Sequence, residues 1–266
     1  MTSHAPTLTV TALPLDIIYA DRDANLAAAE AAIAQLPPTD VLVLPELFTT
    51  SFVKDAGLLR ELSEPDDGGR TIAWARRIAA ERRMAVCGSF AACDSEGKLR
   101  NRGFIVLPSG EVTYADKRHL FCLSDESRNC AAGTTAPPVV TINGWSVAMI
   151  ICYDLRFPAW CRNRDLSYDV MLVPANWPQV RSYAWHHLLV ARAIENQAYW
   201  VGCDRSGLDD YGCYDGMSQI YDAMGKPIGC IGAAGTVTAT LSHSDLERNR
   251  RKMPAYNDAD NFTINF

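Results

Sequence analysis

The chain has 266 residues, 48% hydrophobic and 21% charged, a balance that fits a globular protein able to bury a sizeable core. Its formal net charge of −6 argues against a nucleic-acid or anionic-membrane partner, since either would need a concentrated basic face. No apolar run approaches the roughly 20 residues needed to cross a bilayer, and "MTSHAPTLTVTALPLD" lacks the basic segment and apolar core of a secretory signal.

The first β-like run is "TLTVTALP", followed by "RDANLAAAEAAIAQL", where Leu26, Ala29, Ile33 and Leu36 recur at helical spacing. "LPPTD" breaks that helix. "VLVLPE" is then a short, wholly apolar run, as expected for a strand covered on both faces. A polar loop and a helix near "GRTIAWARRIAAERRM" follow, then three strands, "AVCGSF", "NRGFIVLP" and "EVTYADK", with "PSGE" as a hairpin turn between the last two. The second half repeats the theme. "WSVAMIIC" is a strand, "FPAWCRNRDL" begins a helix and "DVMLVPAN" is another buried strand. "SYAWHHLLVARAIENQ" is a strong helix, and "AYWVGCDRSG", "GMSQIYDAMGKPIGCIG" and "GTVTATL" read as strands and hairpins. Helices and strands alternate without a linker rich in Pro, Gly or Ser, so residues 1–266 are expected to form one α/β layered domain. The basic stretches "RRIAAERR" and "ERNRRK" read as solvated helix or tail.

The nine cysteines are an odd count, and none has C-x-x-C spacing. They imply free thiols in a reducing, cytoplasmic compartment. No set of metal ligands or cofactor motif stands out.

Reactive groups in layered α/β proteins gather just past the C-terminal ends of strands. Four strand-like runs end on useful residues here: Glu46, Lys117, Cys152, and the pair Asn176 and Trp177. Taken singly, each has a plain reading: a solvated Glu, a surface Lys, a core Cys. Together they define a reaction. A thiol with a reference pKa of about 8.5 needs a base or a nearby cation to become a nucleophile. Glu46 is suited to be the base, and Lys117 to hold a thiolate or oxyanion. The N–H of Tyr153 would be a second oxyanion donor. His4, His119, His186, His187 and His243 signal no dedicated Cys–His pair, though His119, two residues past Lys117, is a candidate to line the pocket.

The motifs "LPELF" (44–48), "DKRHLF" (116–121) and "CYDLRFP" (152–158) resemble the Glu–Lys–Cys signature of the nitrilase superfamily, the carbon–nitrogen hydrolases. "ANWP", "ARAIENQAYWVGC" and "SQIYDAMGKPI" extend the likeness over about residues 8–260. The resemblance implies a four-layer αββα sandwich that dimerises to αββα–αββα, with Glu46 as general base, Lys117 as oxyanion stabiliser and Cys152 as nucleophile. A second Glu, seven residues before a Gly, orients the site in the family. Glu126 stands seven before Gly133 and takes that role. "DKRHLF", "CYDLRFP" and "ANWP" look most like the omega-amidase branch, whose substrates are small ω-amido-dicarboxylates such as 2-oxoglutaramate and 2-oxosuccinamate. Same-fold alternatives are hydrolases of N-carbamoyl amino acids, aliphatic amides or deaminated glutathione. A catalytically inactive scaffold is disfavoured because all three reactive residues are present.

An anionic substrate carboxylate demands a fixed cation, and Arg suits a planar two-oxygen partner best. Arg156 is the first candidate, its alternative being a salt bridge to Asp154 or a neighbour that buttresses the loop. Arg181 is a second. Phe121 and Trp177 are expected to wall the site. The polar stretch 204–216 is expected to be a loop that shapes specificity.

Overall fold

In the computed structural model, residues 6–66 and 68–265 are described, so His4 lies outside the described residues. The first half runs β1 (Thr7–Ala12), α1 (Arg22–Ile33), β2 (Val41–Val43), α2 (Ala56–Leu62), β3 (Glu64–Pro65), α3 (Arg70–Arg82), β4 (Ala85–Cys93), β5 (Leu99–Val106), β6 (Val112–Asp116) and the single turn α4 (Glu126–Asn129). The second half runs β7 (Val139–Ile142), β8 (Trp145–Met149), α5 (Pro158–Cys161), β9 (Val170–Ala175), α6 (Ser182–Asn196) and β10 (Tyr199–Asp204). It closes with β11 (Ser206–Asp209), β12 (Gly212–Asp215), β13 (Gln219–Tyr221), β14 (Cys230–Ile231), β15 (Val237–Ser242) and α7 (His243–Lys252).

Two sheets carry the fold. One has the order β14-β15-β1-β2-β4-β5-β6, with β3 beside β4, and the other the order β13-β10-β9-β8-β7. Each has a parallel centre, β1-β2-β4 in the first and β8-β9-β10 in the second, flanked by antiparallel strands. This matching is the coarse likeness between the halves. Side-chain alternation along each strand then sets the layers. Val41 and Val43 face the second sheet and join Val147, Met149 and Leu172 in the central core. Leu42, between them, faces the other way and packs with Ile33, Ile72 and Ile78 of α1 and α3. Ala148 and Met171 of the second sheet likewise turn outward onto Trp185, Leu189 and Ala193 of α6. The result is helix, sheet, sheet, helix. The unbroken apolar runs in the sequence are strands buried on both faces.

Local chemistry ends the elements where expected. Asp21 caps α1 by accepting the N–H of Ala24 at 3.0 Å, and α1 stops before the Pro37–Pro38 pair. The "PSGE" turn closes with the Leu107 N–H on the Glu111 carbonyl at 2.9 Å, with Gly110 at φ +86°. Two readings need correction. The helix expected from "FPAWCRNRDL" is one turn, Pro158–Cys161, followed by a 3-10 turn at Arg164–Leu166. Asn163 breaks it: its side-chain N–H groups go to the carbonyls of Tyr168 and Asn196 at 2.9 and 3.0 Å, an arrangement a helix would not permit. The basic stretch "ERNRRK" lies on α7 but is not all solvated. Arg250 is buried, pairing with Asp169 at 2.8 Å and donating to the carbonyls of Tyr168 and Gln197.

All nine cysteines are free, and several are deep. Burial pushes the thiols of Cys87, Cys152, Cys161 and Cys203 above the ordinary thiol range, and that of Cys130 to about 12. In the unfolded chain each would ionise near pH 8.5, at about the reference value. Above that pH the unfolded state has released protons that the native state keeps, so stability falls as pH rises, by up to about 1.4 kcal/mol per unit for each such thiol. Urea unfolding in reductant between about pH 8 and pH 10 should show the midpoint dropping steadily. A flat profile would mean that these sulfurs are reached by solvent in the native state.

Candidate active site

The C-terminal ends of the central parallel strands of both sheets point to one cleft. Glu46 lies three residues past β2, Cys152 three past β8, and Asn176 directly after β9. Lys117 arrives from the antiparallel flank, immediately after β6. Glu46, Lys117, Glu126 and Cys152 all line a cavity of about 60 Å³.

Glu46 and Lys117 are almost wholly buried, 2% and 3% exposed. The Lys117 ammonium sits 2.7 Å from Glu46 Oε1 and 2.9 and 2.8 Å from the two oxygens of Glu126. Burial alone would lower the pKa of Lys117, but Glu126 and then Glu46 outweigh it and hold the ammonium well above its ordinary value. The two carboxylates have further donors. Asn101 Nδ2 lies 2.7 Å from Glu46 Oε1 and 2.9 Å from Glu126 Oε1. The N–H of Asn176 donates to Glu46 Oε2 at 3.0 Å, and that of Phe121 to Glu126 Oε2 at 2.8 Å.

Gly133 explains why Glu126 can reach the cluster. Its N–H donates to the Lys117 carbonyl at 2.9 Å. A Cβ on it would stand 2.2 Å from the Asp116 carbonyl oxygen, so only glycine lets the 126–133 segment lie this close to the end of β6.

Cys152 opens a short 3-10 helix, Cys152–Arg156, with φ at +44°. That left-handed conformation is strained for a side-chain-bearing residue and persists only where surroundings enforce it. Here Asp154 enforces it. Its Oδ2 accepts the Ile151 N–H at 3.2 Å, and its Oδ1 accepts the backbone N–H of His119 at 2.9 Å and meets the ring Nδ1 at 2.8 Å. Tyr153 sits in the first turn, ahead of the first internal bond, the Asp154 N–H to the Ile151 carbonyl at 3.0 Å. Burial, and then Glu46, push the Cys152 thiol well above the ordinary range, with Lys117 pulling the other way. Burial thus favours the protonated form of this sulfur, and its one hydrogen bond among the described residues goes to the Asn176 carbonyl at 3.8 Å.

His119 does not line the cavity, contrary to expectation. Its ring stacks on Phe157 at 3.6 Å, and Trp160 packs edge-on against it. The hydrogen bond to Asp154 holds it there, behind the nucleophile and tying the Lys117 loop to the Cys152 turn. The salt bridge considered for Arg156 does not form, because Asp154 is engaged by His119 and not by Arg156. Arg156 lines the cavity, its guanidinium 4.8 Å over the Trp177 ring. Arg181 lines it too, 5.1 Å over the Phe121 ring. Neither guanidinium has a carboxylate partner among the described residues. Phe121 and Trp177 form walls, as expected.

Sequence reasoning did not single out Asn101, Tyr211 or Tyr214. The stretch 204–216 is not an open loop but the hairpin β11–β12, pinned by the buried Arg205, which reaches Asp209 and Ser51 at 2.8 Å. It brings Tyr211 and Tyr214 to the cavity, Tyr211 packing edge-on against Phe52 at 5.1 Å. The paired tyrosines in "DDYGCYDG" were the available signal. Asp204 anchors the neighbouring turn by accepting the Trp177 N–H at 2.7 Å, and burial drives its carboxyl well above the carboxylate range.

Known proteins resemble this chain along nearly its whole length. It is 39% identical to omega-amidase YafV of Escherichia coli (strain K12), over 97% of this chain and 99% of that protein. It is 31% identical to a 2-oxoglutaramate amidase of Bacillus subtilis (strain 168), over 94% and 96% respectively. The crystal structure of a CN-hydrolase superfamily protein from Xanthomonas campestris, which carries an arsenic adduct in its active site, superposes with a TM-score of 0.90. That protein is 35% identical, over 97% of this chain and 99% of its own. The carbon–nitrogen hydrolase family model matches residues 9–251, and the chain belongs to that family.

Proposed function

We propose that this protein is an omega-amidase. It hydrolyses the terminal amide of a small ω-amido-dicarboxylate, 2-oxoglutaramate or 2-oxosuccinamate, to the 2-oxo acid and ammonia. The observation that carries the substrate class is the pair of guanidiniums, Arg156 and Arg181, that line the Cys152 cavity without carboxylate partners among the described residues. The names of the Escherichia coli and Bacillus subtilis relatives support the same reading.

In the proposed mechanism Glu46 takes the Cys152 thiol proton as sulfur bonds to the amide carbon. The negative charge that develops on the carbonyl oxygen falls to Lys117 and the Tyr153 N–H. Glu46 returns the proton to the nitrogen as the C–N bond breaks, and ammonia leaves a thioester on Cys152. Glu46 then takes a proton from water, whose oxygen attacks the thioester carbon. The C–S bond breaks, the sulfur regains the proton, and the acid departs. Glu126 has no part in these transfers; it holds Lys117. Arg156 and Arg181 bind the substrate carboxylate, and Phe121 and Trp177 limit its length. No cofactor or metal enters the scheme. A cytoplasmic location suits nine free thiols.

The homodimer implied by family resemblance is proposed to form over the outer face of α6. Tyr183 and Ile194 are exposed on that helix, as are Val180 in the turn before it and Met224. Sedimentation should give a dimer for the parent and a monomer for Tyr183→Asp, with unfolding unchanged. A monomeric parent would remove this proposal.

Two outcomes test the reaction. Cys152→Ala should release no ammonia from 2-oxoglutaramate, and brief exposure of the parent to that substrate should leave an acyl adduct on the Cys152 peptide by mass spectrometry. Turnover by Cys152→Ala would discard the mechanism, and faster turnover of N-carbamoyl-β-alanine or a simple nitrile would discard the substrate. Arg156→Lys should raise KM by about tenfold or more with kcat little changed, because an ammonium cannot reproduce a two-pronged contact. An unchanged KM with a lower melting temperature would make Arg156 structural.

A further inference from the structure

We infer that Asn101 is a positioning residue of the catalytic cluster, a neutral double donor that lets two carboxylates share one lysine. The inference rests on the Glu46–Lys117–Cys152 reading above and adds a residue to it.

The placement follows from register. β5 and β6 pair antiparallel with Arg102 opposite Asp116, so Asn101 stands opposite Lys117 at the end of the ladder. The Lys117 N–H closes that step on the Asn101 carbonyl at 2.9 Å. Directly opposed residues project to the same face, and both side chains reach the same two oxygens. Asn101 Nδ2 is 2.7 Å from Glu46 Oε1 and 2.9 Å from Glu126 Oε1, while Lys117 Nζ is 2.7 and 2.9 Å from those same atoms. A side-chain amide nitrogen has two N–H groups, and here both are committed. The opposite amide orientation would set a carbonyl oxygen against two carboxylates, so the geometry fixes which end is which.

Asn101 Oδ1, by contrast, is buried with no hydrogen-bond partner among the described residues. Asn101 also lines a small space with Leu47, Val53 and Leu59, into which Arg100 and Glu126 reach as well. An unpaired buried acceptor lowers stability, so packing does not account for an amide here. Its donor end does. Asn101 and Lys117 together occupy Glu46 Oε1, while Oε2 takes the Asn176 N–H as its one hydrogen bond among the described residues; the Cys152 thiol rests on the Asn176 carbonyl at 3.8 Å, next to that contact. A second lysine would neutralise the cluster and weaken its pull on the thiol proton. A neutral donor fixes the geometry and keeps the excess negative charge. The charged or titratable groups around Glu46 are Lys117 after β6, Glu126 on α4, Cys152 after β8 and Asp204 on β10.

The test compares the parent with Asn101→Leu, Asn101→Ser and Asn101→Asp. Carbamidomethylation of the Cys152 peptide by iodoacetamide is followed against pH by mass spectrometry, which needs no substrate. Steady-state rates with 2-oxoglutaramate and thermal melts run alongside. Asn101→Leu should lower kcat by about 10- to 100-fold with KM within about twofold, a part of what a general base supplies. The acid limb of both pH profiles should move to higher pH, because a carboxylate that loses a donor holds its proton more tightly. Asn101→Ser, which keeps one donor, should recover part of the rate, and Asn101→Asp should move the limb further in the same direction. Parent kcat and parent pH profiles with only a lower melting temperature would overturn the inference. If Asn101→Leu does not fold, a parent profile in the Ser or Asp variant overturns it equally. Turnover by Cys152→Ala would instead overturn the nucleophile assignment, and leaves a different signature.

Discussion

One ammonium shared between two buried carboxylates governs this site. Lys117 is nearly inaccessible to water, and so are Glu46 and Glu126. Taking three charges out of solvent costs several kcal/mol per ion unless each remaining lone pair finds a donor. The fold supplies those donors from four places: Asn101 on β5, the N–H of Phe121 on the Lys117 loop, the N–H of Asn176 after β9, and Lys117 itself. No single element could do so. Both sheets are needed, which is why the cleft lies where the ends of β2, β6, β8 and β9 converge.

The second constraint is conformational. Cys152 must present its sulfur into a closed space while its backbone turns sharply out of β8, and the left-handed φ is the result. Asp154 holds that turn from beneath through Ile151 and from the side through His119. The same contact ties "DKRHLF" to "CYDLRFP". The lysine and the nucleophile are thus fixed to one another by a buried carboxylate that touches neither, and the stacking of His119 on Phe157 completes the brace.

How much of this was legible depended on whether local order or tertiary register decided the matter. Glu46, Lys117 and Cys152 were legible because each ends a strand-like run, and strand ends are where layered α/β folds gather reactive groups. The double-covered strands were legible for the same reason: Val41, Leu42 and Val43 leave no polar face. Glu126 could be read only with Gly133, whose missing side chain admits the segment against Asp116. Asn101 could not be read at all. An Asn in "LRNRGFIV" looks like any polar residue on a half-covered strand, and its meaning appears only once β5 and β6 are in register. His119 was misplaced because two residues of separation from Lys117 say nothing about which way a ring turns. The hairpin at 206–215 passed for a loop because its strands are four residues each and polar, so their alternation is too brief to register.

The distribution of charge within the cleft then gives a direction. Its inner end holds two carboxylates and one ammonium, an excess of negative charge in a poorly solvated space. Its outer wall holds two guanidiniums stacked on aromatic faces, an arrangement that keeps a cation fixed without neutralising it. A small molecule with a carboxylate at one end and a neutral amide at the other meets repulsion if it enters carboxylate first and attraction if it enters amide first. Like-charge repulsion is strongest where the dielectric is lowest, so the discrimination is greatest at the sulfur. In the proposed mechanism, the same excess of negative charge that would let Glu46 draw a proton from the thiol also keeps the wrong end of such a substrate away from it. Proton transfer and substrate orientation therefore have a common electrostatic origin in the carboxylates that share Lys117.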